Sequence, residues 1–189
     1  MFSSVTSGAV GGIASYLMQV EVDVTDGLPS FNMVGFMSGD VREAGERVKV
    51  ALKNAGTKIP PSKITINLSP ADIRKTGVVV DLPIAVGIMA AMGEIDMEAL
   101  EDVVVLGELG LDGEVKAVKG ILPIVTRAKD MGYKIVILPE SNAREGAVVD
   151  GIRIIGVSSL QEVVQYLNAP FEERDKLISP THVDVEKLF

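Results

Sequence analysis

The chain has 189 residues, 47% hydrophobic and 23% charged but only 4% aromatic, which suits one globular domain with an aliphatic core. It has no cysteine, so disulfides, thiolate metal sites and cysteine nucleophiles are excluded. A net charge of −8 argues against generic attraction to nucleic acid.

In chain order, Ser3 to Thr6 reads as a strand, with Gly8, Gly11 and Gly12 supplying a turn behind it. Tyr16 to Thr25 alternates, with Val20, Val22 and Val24 on one side and Gln19, Glu21, Asp23 and Thr25 on the other; period two predicts a half-buried strand. Asp26-Gly27-Leu28-Pro29-Ser30 is a turn, and Phe31 to Val34 returns as a short strand. Val41, Ala44, Val48, Ala51 and Leu52 form an apolar stripe that predicts a helix over 40–55, with Asp40 as N-cap, Gly56 as stop, and Glu43 and Arg47 spaced i, i+4 on the outer side. Ile64 to Leu68 is a strand broken at Ser69-Pro70, and residues 70–80 are a loop. Leu82 to Met92 is apolar on nearly every face and predicts a buried helix, N-capped by Asp81, with Pro83 in its first turn.

Val103 to Leu106 is a strand, followed by a Gly-punctuated stretch to Gly113. A helix over Val118 to Met131 ends at Gly132, and Lys134 to Leu138 is a strand stopped by Pro139. A short helix is expected over Ser141 to Gly146 and a strand over Arg153 to Ile155. Ser158 with Gln161 reads as a capping box opening a helix to Leu167. From Pro170 the chain is charged and aperiodic, a solvated linker or tail. Strands followed by alternating helix and strand units predict an α/β (α+β) fold: a mixed sheet with packed helices.

The charge is uneven. Residues 42–75 carry eight bases against three acids, whereas residues 1–41 carry four acids and no base. Arg42, Lys49 and Lys53 lie on one helical side, and Arg74-Lys75 stand in a loop before a glycine. These five are the candidate nucleic-acid contacts, through phosphate. A P-loop string, Gly, four residues, Gly-Lys and Ser or Thr, does not occur, and the glycines at 8, 11 and 12 lack Rossmann spacing. The only histidine, His182, sits in the tail, which removes a Ser-His-Asp triad and leaves no metal site to propose. Asp81, between apolar runs, is a candidate for partial burial. The longest apolar run, Leu82 to Met92, is short of the ~20 residues that span a bilayer, and the first base is Arg42, so no signal sequence or membrane span is expected and the location expected is cytoplasmic.

Several strings together resemble the N-terminal region of the ComM/YifB family, magnesium-chelatase-related AAA+ proteins of bacteria. They are Gly27 to Phe31 with Val34-Gly35, Val41-Arg42-Glu43, Glu46-Arg47-Val48, Ala51 to Asn54 with Gly56, Ile64 to Leu68 with Pro70 to Lys75, Asp81 to Ala85, and Gly107-Glu108-Leu109 with Leu111-Asp112-Gly113. The resemblance is collinear over about residues 1–168, so residues 1–168 are taken as one domain and residues 169–189 as a linker or tail. It implies a fold like the Lon protease catalytic domain, placed before an AAA+ ATPase module that would hold ATP and Mg; the expectation is a fragment or stand-alone paralogue without that motor.

On a Lon-like alignment the nucleophile position falls near Val79 and the lysine position near Leu122, so no catalytic residue, cofactor or metal is expected in this chain. The function implied is a non-catalytic accessory domain that helps assembly or DNA engagement in ATP-driven DNA remodelling, including branch migration during natural transformation. Its implied neighbour is an AAA+ module of the same or a partner chain. The resemblance leaves room for homo-oligomerisation, hexameric in the full-length protein, and for DNA. A Lon-like Ser/Thr–Lys peptidase using Thr76 with Lys119, and a pure protein-interaction or oligomerisation module, stay open as alternatives.

Overall fold

The computed structural model describes residues 1–11, 14–35, 37–71, 73, 75 and 80–188. The expected mixed α/β fold is what forms. Strands β1 (Phe2–Gly11) and β2 (Ala14–Asp26) make a long antiparallel hairpin. β3 (Ser30–Val34) runs into helix α1 (Gly39–Asn54), which crosses over to β4 (Ser62–Ser69), parallel to β3 and antiparallel to β2. Helix α2 (Asp81–Ala91) leads through a 3-10 turn to β5 (Val103–Val105), parallel to β1. A small separate ribbon pairs β6 (Glu108–Leu109) with β7 (Val115–Lys116). Helix α3 (Ile121–Asp130), β8 (Ile135–Pro139), the single turn α4 (Ala143–Gly146), β9 (Arg153–Val157), helix α5 (Leu160–Asn168) and the single turn α6 (Arg174–Leu177) follow. The main sheet has seven strands in the order β3-β4-β2-β1-β5-β8-β9.

Strand parity assigns the two faces of this sheet. On β1, Ser3 points at α2, its hydroxyl donating to the Gly87 carbonyl at 2.6 Å, while Gly8, of opposite parity, lies against Ile124 of α3. Helix α2 is buried at every position, as its unbroken apolar run predicts, and lies on β1 and β2 beneath α1. Buried hydroxyls on this face are satisfied by carbonyls: Ser7 donates to Val105 at 2.8 Å. Gly35 ends β3 with φ near 121°, and a side chain there would stand 2.8 Å from the Leu68 carbonyl oxygen, so only glycine fits.

Several local expectations are corrected. Ser38, not Asp40, caps α1, because its hydroxyl accepts from the Val41 N–H; Asp40 lies inside the first turn. Gly8 and Gly11 belong to β1 rather than to a turn, and Gly12 lies outside the described residues. Ser159, one residue later than expected, caps α5: its hydroxyl accepts from Glu162 N–H, and Glu162 accepts in turn from Ser158 N–H at 2.7 Å. Ser141 falls in a 3-10 turn before α4.

The tail is not wholly solvated. Arg174 is 8% exposed, stacks over the rings of Tyr166 and Phe171, and donates to the Leu167 and Ala169 carbonyls at the end of α5. A guanidinium suits that end because free carbonyls gather there. Thr181 N–H then donates to Ile154 of β9 at 2.9 Å.

The contact between α2 and the sheet is tight at Gly87, where an added Cβ would lie 2.7 Å from Val22 Cγ2. Val22 is fully buried and β-branched, so it has little room to yield. Gly87→Ala is expected to destabilise the domain by about 1–2 kcal/mol in urea unfolding, overpacking outweighing the helix-propensity gain. An unchanged midpoint would show that α2 can lift off β2 freely.

Candidate functional site

The most constrained polar group in the domain is Asp81. It is 0% exposed at the first residue of α2. Arg47 of α1 grips it in a two-pronged contact, Nε to Oδ2 at 2.9 Å and Nη2 to Oδ1 at 3.1 Å. The Leu109 N–H of β6 donates to the same Oδ2 at 3.0 Å. Beside it, Leu82 N–H donates to the Gly107 carbonyl at 3.0 Å. One carboxylate therefore joins α1, α2 and the β6–β7 ribbon. Asn54 extends the join by donating to the Leu111 carbonyl at 2.7 Å.

This geometry corrects two sequence expectations. Asp81 is not an N-cap: Val80 occupies the cap without a side-chain bond, and the Asp81 carboxylate is turned toward α1 and β6. Arg47 does not pair with Glu43 on the outer side but reaches inward, at 23% exposure. Both residues left a trace in the sequence. Arg47 sits between Ala44 and Ala51 at stripe spacing, and Asp81 directly precedes an apolar run. What the sequence could not show was that α1 crosses α2 at that point.

Burial pushes the Asp81 carboxyl above the usual carboxylate range, and the bonds from Arg47 and Leu109 together with the Arg47 charge pull it back. The bond to Asp81 raises Arg47 in turn, against a smaller opposing effect of burial. A folded-state pKa above the unfolded one means that the folded protein takes up this proton first. The carboxyl therefore favours folding most below the carboxylate range, and that contribution is lost as pH rises through the raised pKa. Arg47 offsets the loss. Arg47→Ala is expected to cost about 3 kcal/mol at neutral pH, since it strands a buried carboxylate, and the deficit should shrink as pH falls through the carboxylate range. Asp81→Asn should cost less, about 1–2 kcal/mol, because Arg47 can turn to water. Unfolding curves across that pH range check both, and a deficit independent of pH would assign Arg47 a packing role.

The candidate phosphate contacts scatter. Arg42 is exposed and donates to the Met33 carbonyl at 3.3 Å. Lys49 pairs with Glu46 at 2.8 Å and lies 5.0 Å over the Phe31 ring. Lys53 is exposed at the last turn of α1. Lys75 is 0% exposed, bridged through its backbone to Met37 and Ser38, so its ammonium is enclosed rather than offered from a loop; this corrects the expected placement. Arg74 lies outside the described residues. The α1 residues thus share one side, and Lys75 is separated from them by burial.

Of the Lon-like positions, those near Val79 precede α2 in the sequence and those near Leu122 fall at the start of α3. Val79 and Thr76 lie outside the described residues. Leu122 is 39% exposed in the first turn of α3, and Lys119 is exposed just before it. Gly120 caps α3 with φ near 80°, where a side chain would collide with Val10 Cγ2 at 2.7 Å. Among the described residues, no three His, Asp or Glu side chains converge as metal ligands, and no helix is long and apolar enough to cross a membrane.

The model of the family described as subunit ChlI of Mg-chelatase matches residues 20–142. The chain is 38% identical to the competence protein ComM of Haemophilus influenzae over 164 residues, 87% of this chain and 32% of that protein. It is 36% identical to the protein YifB of Escherichia coli over 165 residues, again 87% of this chain and 32% of that one. Lon protease 2 of Bacillus subtilis is 30% identical over 205 residues, 95% of this chain and 36% of that protein. The chain thus spans about a third of the length of the curated relatives it matches.

Proposed function

Because the chain belongs to the ChlI-type, magnesium-chelatase-related family that includes ComM and YifB, we propose that it is a non-catalytic accessory domain of an AAA+ protein. Its role in this reading is to help assembly or DNA engagement during ATP-driven DNA remodelling, including branch migration in natural transformation. The observation that carries the reading is the match to a competence protein along 87% of the chain. ATP and Mg²⁺ belong to a module outside these residues, since no P-loop string occurs among them. A cytoplasmic location follows from the same reading.

The interior supports an accessory role. Among the described residues, the acid at the entry of α2 is committed to structure: Asp81 is held by Arg47 and Leu109. The Lon lysine position carries the apolar Leu122. A carboxylate locked in a bidentate ion pair is a poor proton acceptor, and an aliphatic side chain transfers no proton. What the join offers instead is stiffness between α1, whose outer side carries Arg42 and Lys53, and the centre of the sheet.

In the longer protein, Arg42→Glu with Arg74→Glu is expected to weaken binding of single-stranded and forked DNA about ten-fold. The slope of affinity against salt should fall by about two, one per lost phosphate contact. Unchanged affinity and slope would remove DNA engagement from this domain.

The 30% identity to Lon protease 2 favours a second reading, a Ser/Thr–Lys peptidase using Thr76 and Lys119. Casein digestion by the longer protein, lost on Thr76→Ala and on Lys119→Ala, would establish that reading against ours; intact casein is the outcome expected.

A further inference from the structure

The seven-stranded sheet has two edges, and they are treated differently. Along β9 the chain covers its own edge, with Thr181 N–H donating to the Ile154 carbonyl. Along β3 no described strand lies on the outer side. An open edge presents unpaired backbone groups and is a template for a further strand. Apolar residues flank this one: Leu28 is 90% exposed before it and Val34 is 51% exposed at its end. Beside it runs a groove of about 540 Å³ walled by Pro29, Phe31, Ile59, Pro60, Pro61 and Ile64.

The groove is flanked by lysines. Lys63 stands in register with Ser30 of β3, Lys58 lies in the loop that supplies Ile59 to Pro61, and Lys53 follows Lys49 by one helical turn. Lys49 is matched by Glu46, but among the described residues Lys53, Lys58 and Lys63 have no carboxylate in ion-pair range. The Phe31 ring packs against α1, with Lys49 Nζ 5.0 Å from its centroid and Gly45 so near that an added Cβ would come within 2.7 Å of its edge. Lysines also repel a second copy of the same edge. The surface calls for an extended segment carrying apolar residues and acids.

This chain contains such a segment. After Thr181, Val183-Asp184-Val185-Glu186 alternates apolar and acidic residues with strand period. Nonetheless Val185–Leu188 is wound into a short 3-10 turn, Val185 is 38% and Leu188 51% exposed, and Asp184 bonds within the arm, to Glu186 and Lys187. Its sequence favours a strand that its own domain does not offer. It leaves the body at β9, six strand spacings from β3, or about 29 Å at ~4.8 Å each. Residues 182–188 reach at most about 24 Å fully extended. The arm therefore cannot lie along the β3 of its own chain.

We infer that the arm at residues 182–188 docks as an added strand on the β3 edge of a second copy, with Val183 and Val185 toward the groove and Asp184 and Glu186 toward Lys58 and Lys63. Because donor and acceptor edges differ, each copy gives one arm and takes one, so the contact closes as a reciprocal pair or runs on into a ring or filament.

Sedimentation velocity on the 189-residue chain tests this. Assembly should grow with protein concentration, vanish in a chain ending at Thr181, and weaken roughly ten-fold in Lys58→Glu/Lys63→Glu or on raising salt from about 0.05 M to about 0.5 M. A synthetic peptide of residues 179–188 should dissociate the assemblies. Asp184→Lys/Glu186→Lys placed on the Lys58→Glu/Lys63→Glu chain should restore them, which a merely structural role for the lysines would not do. A chain that stays monomeric throughout, or one that assembles equally well without the arm, would overturn the inference. So would an oligothymidine that binds this edge and is lost with the lysine reversals while removal of the arm changes nothing.

Discussion

Asp81 brings a carboxylate into a place with no access to water, and that can stand only because three donors from two residues converge on it. Arg47 supplies two donors and a charge, and Leu109 supplies a backbone N–H. A buried carboxylate lacking such partners would cost several kcal/mol or give up its charge. The requirement works in reverse as a geometric constraint. It fixes the rotation of α1 about its axis, the depth at which α2 enters the fold, and the position of the β6–β7 ribbon. Apolar packing alone would allow these elements to slide, since α2 presents aliphatic side chains on every face.

That constraint has a consequence for the surface. With Arg47 turned inward, the outer side of α1 is left to Arg42, Lys49 and Lys53 above the β3 edge. At the same end of the sheet no described strand lies along the outer side of β3, while at the far end Thr181 bonds to β9. The domain is therefore polar from edge to edge, basic and open at β3, self-covered at β9. Such asymmetry suits a part that meets a neighbour along one edge.

Membership in the ComM and YifB family and likeness to Lon protease 2 meet in one fold but point to different chemistry. A shared fold does not carry an activity with it; the side chains at the site do. Here the acid that opens α2 is bound into the frame by Arg47 and Leu109.

The sequence by itself determined most of the elements, because periodicity is a local signal. The two-residue alternation of β2, the apolar stripe of α1 and the unbroken apolar run of α2 each appear where the side chains require them. It also determined the family, because the matching strings recur in order along most of the chain. Caps shifted by one or two residues, to Ser38 from Asp40 and to Ser159 from Ser158, since neighbouring oxygen-bearing side chains compete for the same N–H groups. What only the tertiary structure decided was which charges are inside. Arg47, Lys75 and Arg174 look like surface residues in the sequence and Asp81 like a half-buried one, and each is wholly or largely enclosed. Their fate depends on partners 34 residues away for Arg47 and Asp81, and on the ring of Tyr166 and the end of α5 for Arg174. Local pattern carries no information about such distant contacts, because burial of a charge is set by what crosses it in space.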